Sequence, residues 1–269
     1  MKNFVKKLSY ILMSSLLIVV VSCDDAFEYS PYAANVKSLY KDIGEKNRNA
    51  VIEMDTILKS EYKFAVFCDP HFNYDKLNEA VLSVNRRNDI DFVIVNGDIT
   101  DHGYLKEFEL FHETMKKLKI PYLTTIGNHD YRSNGEDIYK EMYGKSNYTF
   151  EYNNNLFIMW DDVFWESNKS PDWEWLENEL ENIKNQQNVF VVCHIPPFSS
   201  QFDEKSEEKY TKLMSKYNIN LSIHGHTHSR EYSEYYNDEI QYLVGNDIKD
   251  EEYSVVTVAN DIVVEFIKY

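Results

Sequence analysis

The sequence predicts an α/β domain built on two β-sheets, and two observations carry that expectation. Between residues 62 and 125, three apolar runs of strand length alternate with stretches of helical period, and each run ends in Asp, Asn, Gly or His. Polar groups gathered at the carboxyl ends of successive strands call for parallel pairing, with a crevice along that edge. After residue 148 the pattern changes to period-two alternation and hairpin turns. The tail from Tyr232 to Tyr269, with turns at Asn237-Asp238 and Asn260-Asp261, reads as an antiparallel meander that closes a second sheet.

The elements follow in order. Lys2, Lys6 and Lys7 precede an uncharged run from Leu8 to Ser22, the layout of a bacterial export signal. The run is short for a membrane span of roughly 20 residues. Residues 1–22 are therefore set aside as a signal peptide, 23–44 as a tether containing Ser30-Pro31, and 45–269 as the domain. A short helix fits Glu45 to Asp55. Tyr62 to Cys68 forms a buried strand that stops at Asp69-Pro70-His71, where proline breaks the pairing. Asp75 is expected to cap a helix reaching Arg87, with Leu77, Val81 and Val84 on one face. Phe92 to Val95 leads to Asn96-Gly97-Asp98, and a helix from about Tyr104 to Leu118 carries Phe108, Phe111 and Met115 inward.

Pro121 to Thr125 then delivers Ile126-Gly127-Asn128-His129-Asp130. Tyr148 to Tyr152 and Leu156 to Trp160 pair as a hairpin around three successive asparagines. Pro171 opens a helix whose Trp173, Leu176 and Leu180 belong to the core. Val189 to Val192 ends at His194-Ile195-Pro196-Pro197. After a helix near Glu208 to Tyr217, Asn220 to Ile223 runs into His224-Gly225-His226-Thr227-His228.

Composition narrows the function. With 43% hydrophobic and 15% aromatic residues in 269, the chain can bury a sizeable core. Its formal charge of -17, without a stripe of Lys and Arg, disfavours a nucleic-acid polymer as partner. A small phosphorylated substrate stays open, because bound metal cations outweigh a distant acidic surface. Cys68 and Cys193 directly precede Asp69 and His194 in apolar runs, so their side chains face the other way. They read as buried free thiols, with a disulfide as the alternative in an exported protein. No zinc-type cysteine pair is present.

Val20-Val21-Ser22-Cys23 resembles the lipobox of bacterial lipoproteins. That resemblance implies lipidation of Cys23 and an exported lipoprotein, anchored to a membrane on its periplasmic or extracellular side. An ordinary cleaved signal or a helical anchor is the alternative. Asp24-Asp25 resembles the acidic signal that sends some such proteins to the cell surface.

Singly, each polar strand end has a plain reading as turn or cap chemistry. Together, five of the eight histidines fall in four short segments that follow strands. In order, Asp69-Pro70-His71, Gly97-Asp98-Ile99-Thr100-Asp101, Gly127-Asn128-His129-Asp130, His194 and Gly225-His226-Thr227-His228 resemble the motifs of the calcineurin-like metallophosphoesterase superfamily. The resemblance implies a sandwich of two mixed β-sheets flanked by helices, and two divalent metal ions at the sheet edge. Asp69, His71, Asp98 and His228 would hold one ion; Asp98, Asn128, His194 and His226 would hold the other, with Asp98 bridging. His129 would be the imidazole that assists the leaving group, Asp130 its orienting partner, and Asp101 an outer partner of a ligand histidine.

This thiolate-free donor set suits manganese, iron or zinc. Two such ions about 3.5–4 Å apart generate a hydroxide near neutral pH and neutralise phosphate oxygens. The expected function is metal-dependent hydrolysis of a small phosphoester, mono or di. The Gly-Asp-Ile-Thr-Asp-His-Gly run and the Trp-Leu helix resemble most the branch that includes class III cyclic-nucleotide phosphodiesterases. A non-catalytic, metal-containing surface lipoprotein and an exported nuclease are the alternatives. Tyr74, Tyr131 and Phe198 are candidates for the substrate mouth. The loops Asp162 to Ser170 and Phe198 to Lys209 are expected to govern access.

Overall fold

A computed structural model of the chain describes residues 30–269, and Ala34–Tyr269 forms one compact unit. The expected signal peptide and Cys23 lie outside the described residues. Among these residues no helix is long and apolar enough to cross a membrane.

Eleven strands are present among the described residues: β1 (Tyr62–Phe67), β2 (Phe92–Asn96), β3 (Tyr122–Thr125), β4 (Tyr148–Tyr152), β5 (Asn155–Met159), β6 (Val189–Val192), β7 (Leu221–His224), β8 (Glu231–Glu234), β9 (Gln241–Val244), β10 (Glu252–Val258) and β11 (Ile262–Lys268). One sheet has the order β11-β10-β1-β2-β3 and the other β4-β5-β6-β7-β9-β8. Strands β1, β2 and β3 are parallel, as are β5, β6, β7 and β9. Antiparallel neighbours close both sheets.

Six α-helices among the described residues, α1 (Ile43–Met54), α2 (Tyr74–Arg86), α3 (Leu105–Met115), α4 (Gly135–Tyr143), α5 (Trp173–Glu181) and α6 (Glu204–Lys216), flank the sheets. The alternation within strands sorts the core into layers. Phe64 and Val66 of β1 point between the sheets, where Phe64 meets Phe157 and Phe190 at ring-centroid distances of 5.4 and 5.8 Å. Their neighbours Ala65 and Phe67 face Leu77 and Val81 of α2 and Phe108 and Phe111 of α3. On the far side, Ile158 and Val191 pack with Leu176 and Leu180 of α5 and Tyr210 of α6. The expected sandwich of two mixed sheets flanked by helices is the observed architecture.

Four local expectations change. The tail is not one meander: β8 and β9 complete the second sheet, whereas β10 and β11 cross to the first and pair with β1. The link is physical, since the segment after β9 bridges Cys68 to Asp247 at the end of β1. Asp75 is not a cap. Asn73 holds that position, and Asp75 lies in the first turn, where its charge complements the helix dipole. Helix α4 was not expected, because nine residues opened by glycine give a short periodic signal; its Ile138, Tyr139 and Met142 are buried. The compact unit also opens ahead of residue 45, since Val36 is buried and the Tyr40 hydroxyl donates to Glu113.

Candidate metal centre

The carboxyl ends of β1, β2, β3, β6 and β7 meet along one edge of the sandwich and carry Asp69, Asp98, Asn128, His194 and His226 respectively. The backbone there is unusual. Asp69, His71, Asp98, His226 and His228 all have left-handed φ, at 50, 46, 48, 70 and 53°. Such a conformation costs a non-glycine residue on the order of 1–3 kcal/mol and persists only where the surroundings over-determine it. Here the determinants are mutual: His71 N–H donates to the Asp98 carbonyl at 3.1 Å, and His226 N–H to the Asp69 carboxylate at 3.0 Å. Each sharp turn folds a side chain back over the strand end. Gly127 permits the closest approach, because a Cβ there would lie 2.1 Å from Asp98 N and 2.2 Å from its Oδ1.

Two groups of donors result, linked by a third of His71, Asp98 and His129. Asp69, His71 and His228 form one, with Asp69 Oδ1 3.3 Å from His228 Nε2. Asp98, His194 and His226 form the other, joined by Asn128, whose Oδ1 lies 3.2 Å from His194 Nε2 and 3.0 Å from His226 Nδ1. Asp98 stands between them, with Oδ2 3.7 Å from His71 Nε2 and Oδ1 3.4 Å from His194 Nε2.

The remaining atoms of these side chains are fixed from outside. His194 Nδ1 faces the Asn96 carbonyl at 2.9 Å, His71 Nδ1 the Thr100 carbonyl at 3.3 Å, and His228 Nδ1 the Asp247 carboxylate at 3.6 Å. With their protons drawn outward to these acceptors, the inner nitrogens present lone pairs. Asn128 Nδ2 donates to Glu166 at 2.9 Å, which turns Oδ1 inward. The carboxylates pull the other way on the inner nitrogen of His194, which a proton or a cation must satisfy. Burial opposes ionisation of Asp98, yet the surrounding imidazoles, His194 foremost, hold its pKa below the usual carboxylate range. Burial likewise opposes a charge on His194, but Asp98 and Asp69 outweigh it and lift its pKa to about 10. Buried carboxylates thus demand a positive partner. Two carboxylates, one amide oxygen and four imidazoles, without a thiolate, fit divalent manganese, iron or zinc.

Residues 62–230 match the sequence model of the calcineurin-like phosphoesterases. The chain belongs to this family. It is 30% identical over 198 residues to "Probable glycerophosphodiester phosphodiesterase GpdQ" of Arcobacter nitrofigilis, covering 65% of this chain and 69% of that one. Over 64 residues it is 34% identical to "Probable cyclic nucleotide phosphodiesterase XBJ1_0953" of Xenorhabdus bovienii, covering 24% of this chain and 26% of the relative. The purple acid phosphatase PPD1 of yellow lupin seeds shares the fold, with a TM-score of 0.62 at 16% identity over 77% of this chain and 51% of the lupin chain. As a calcineurin-like phosphoesterase, the chain is a metal-dependent hydrolase of phosphoesters, a class that uses dinuclear centres.

In this phosphoesterase His129 stands within ligand reach of His71 and Asp98, its ring 4.8 Å from that of His71 and its Nε2 4.0 Å from Asp98 Oδ2. Its backbone N–H donates to Asp98 Oδ1 at 2.9 Å, and its Nδ1 faces the Asp101 carbonyl at 3.0 Å. Asp130, expected to orient this ring, does not touch it. The Asp130 carboxylate is buried and accepts from the N–H groups of Gly127, Ile99 and Thr100 and from the Thr100 hydroxyl. It braces the loop after β2 against the loop after β3. Burial, together with the charge of Asp98, pushes its pKa up to about 7. The Asp101 carboxylate lies 3.5 Å from His71 Nδ1, so the structure puts it beside a candidate ligand, and its carbonyl serves His129.

Three further residues were not singled out from sequence. Asp162 accepts from the N–H groups of His194 and Ile195 and fixes that turn. Asp247 meets His228, and Glu166 meets Asn128. Asp247 had a readable signal, since Gly245-Asn246-Asp247 directly follows β9 as the other motifs follow their strands. Asp162 and Glu166 sit in an irregular loop and carried none. Of the residues considered for the substrate mouth, Tyr74 and Tyr131 pack against the helical face of the first sheet, and Phe198 stacks on Tyr235 at 3.9 Å. Cys68 and Cys193 are free and buried, as the plain reading had them.

Proposed function

We propose that this phosphoesterase hydrolyses small phosphodiesters at a centre of two divalent ions. The observation that carries the reading is the place of Asp98, one oxygen toward His71 and the other toward His194. In this reading Asp69, His71 and His228 with Asp98 hold one ion, and Asn128, His194 and His226 with Asp98 hold the other. When bound, the ions neutralise the phosphate and activate the attacking water. The protein's own groups do the rest. His129, which this reading keeps free of both ions, transfers a proton to the departing ester oxygen. The Asp101 carbonyl and the Asp98 carboxylate hold that imidazole by ring and backbone. The glycerophosphodiester phosphodiesterase relative, at 30% identity, supports a diester as substrate.

We propose also that the protein is an exported lipoprotein tethered through Cys23, a reading supported by Lys2, Lys6, Lys7 and the uncharged run that follows. Replacing Cys23 by Ala should release the protein from the membrane fraction of expressing cells. Retention would contradict the tether.

The test of the catalytic reading is turnover with manganese on bis(p-nitrophenyl) phosphate and on p-nitrophenyl phosphate, before and after chelation. The expected result is metal-dependent cleavage, faster on the diester. Full activity after chelation and dialysis would overturn the metal mechanism, and cleavage of the monoester alone would overturn the diester reading.

A further inference from the structure

Arg132 lies outside the metal-centre motifs, yet it touches His129, the imidazole assigned above to proton transfer. Its Nη2 lies 3.2 Å from His129 Nε2, and its Nη1 donates to the Asp101 carbonyl at 3.0 Å. That same carbonyl faces His129 Nδ1 at 3.0 Å. One backbone oxygen therefore holds both side chains. A guanidinium only donates, so Nε2 must be the accepting nitrogen and Nδ1 must carry the proton toward Asp101.

The backbone that presents Arg132 is locked. Its N–H donates to the His129 carbonyl at 3.2 Å, and its own carbonyl accepts from Gly135 N–H, at the start of α4, at 2.9 Å. Gly103 passes so close above that a Cβ on it would lie 2.0 Å from the Arg132 oxygen. The side chain itself is exposed at the mouth of the site. A fixed root and an exposed tip describe an arm that swings over a short arc around His129.

From this geometry we propose that Arg132 binds the non-bridging oxygens of the substrate phosphate and, by doing so, uncovers His129 Nε2. The inference rests on the phosphoesterase reading above and names a residue of that same site. A planar guanidinium matches two phosphate oxygens, and a charge-assisted pair with an anion is much stronger than a contact to a neutral imidazole. Phosphate at the donor groups lies within reach of His129 and therefore competes for its guanidinium cap. Exchange turns Arg132 onto the anion and opens Nε2 to solvent, from which it takes up a proton and passes it to the departing ester oxygen as the P–O bond breaks. In a chain of formal charge -17, a cation at this point also offsets the repulsion that an incoming anion meets.

Inorganic phosphate, a product-like anion, is the probe. Its dissociation constant is measured by calorimetry on metal-loaded wild type, Arg132→Ala and Arg132→Lys, with metal content and thermal unfolding determined on the same samples. Removing a charged hydrogen-bonding partner should weaken phosphate about ten- to hundredfold. Arg132→Lys should recover part of that loss, since it keeps the charge but not the fork. Metal content should not change, and for the diester KM should rise more than kcat falls. Phosphate affinity of Arg132→Ala within twofold of wild type would overturn the proposal, as would loss of affinity that tracks loss of metal. Wild type that binds phosphate through Arg132 but cleaves no diester would overturn the diesterase reading alone.

Discussion

His129 takes its orientation from the backbone of Asp101, whose carbonyl oxygen lies 3.0 Å from His129 Nδ1. The carboxylate next to it in sequence, Asp130, is committed to four donors elsewhere. These two neighbours therefore have separable roles, and a single substitution distinguishes them. Asp130→Asn keeps the shape but sets an NH2 group against N–H groups that need an acceptor. The expected cost is about 1–3 kcal/mol of stability, read as a lower unfolding temperature. An orienting role on His129 would instead leave the unfolding temperature unchanged and lower turnover.

Gly127→Ala should be severe for a steric reason. The added methyl would stand 2.2 Å from Asp98 Oδ1, so the loops after β2 and β3 would have to separate. Overpacking of this kind costs about 1–3 kcal/mol or more, and here it falls on the carboxylate that faces both donor groups. Metal analysis should show a loss of bound ion along with the fall in unfolding temperature; retention of both ions would contradict the placement of Asp98.

Asp247 acts on His228 from outside. Its Oδ2 lies 3.6 Å from His228 Nδ1, and removal of an outer partner typically lowers metal affinity about 10–100-fold. Asp247→Ala should therefore release metal to a competing chelator at lower chelator concentration than wild type, with the fold intact. Unchanged competition would show that His228 needs no such partner.

Much of this was legible in the chain before the structure. Strands β1, β2, β3, β6 and β7 announced themselves as apolar runs, and each ended in a Gly- or Pro-punctuated motif, because a buried strand must stop sharply where its ligand begins. Asp69, His71, Asp98, Asn128, His194, His226 and His228 follow that rule, and they converge. What was illegible depends on contacts distant in sequence. The crossing of β10 to the first sheet is set by pairing of Ser254 with Val66 and of Val256 with Phe64, which alternation alone cannot assign. Glu166 meets Asn128 across thirty-eight positions from a loop without period. Asp130 misled for another reason: the family resemblance assigned it to His129, but the turn from His129 to Tyr131 sends the two side chains to different partners.

The central claim is that Asn128 and His129, adjacent in sequence, divide metal binding from proton transfer. Metal content and diester turnover measured together on Asn128→Ala and His129→Ala test it most directly. Asn128→Ala should hold about one ion fewer than wild type under mild chelation. His129→Ala should keep the full complement while turnover falls about 10²–10⁴-fold, the range of a lost general acid. Metal loss in His129→Ala equal to that in Asn128→Ala, or wild-type turnover in His129→Ala, would contradict the account.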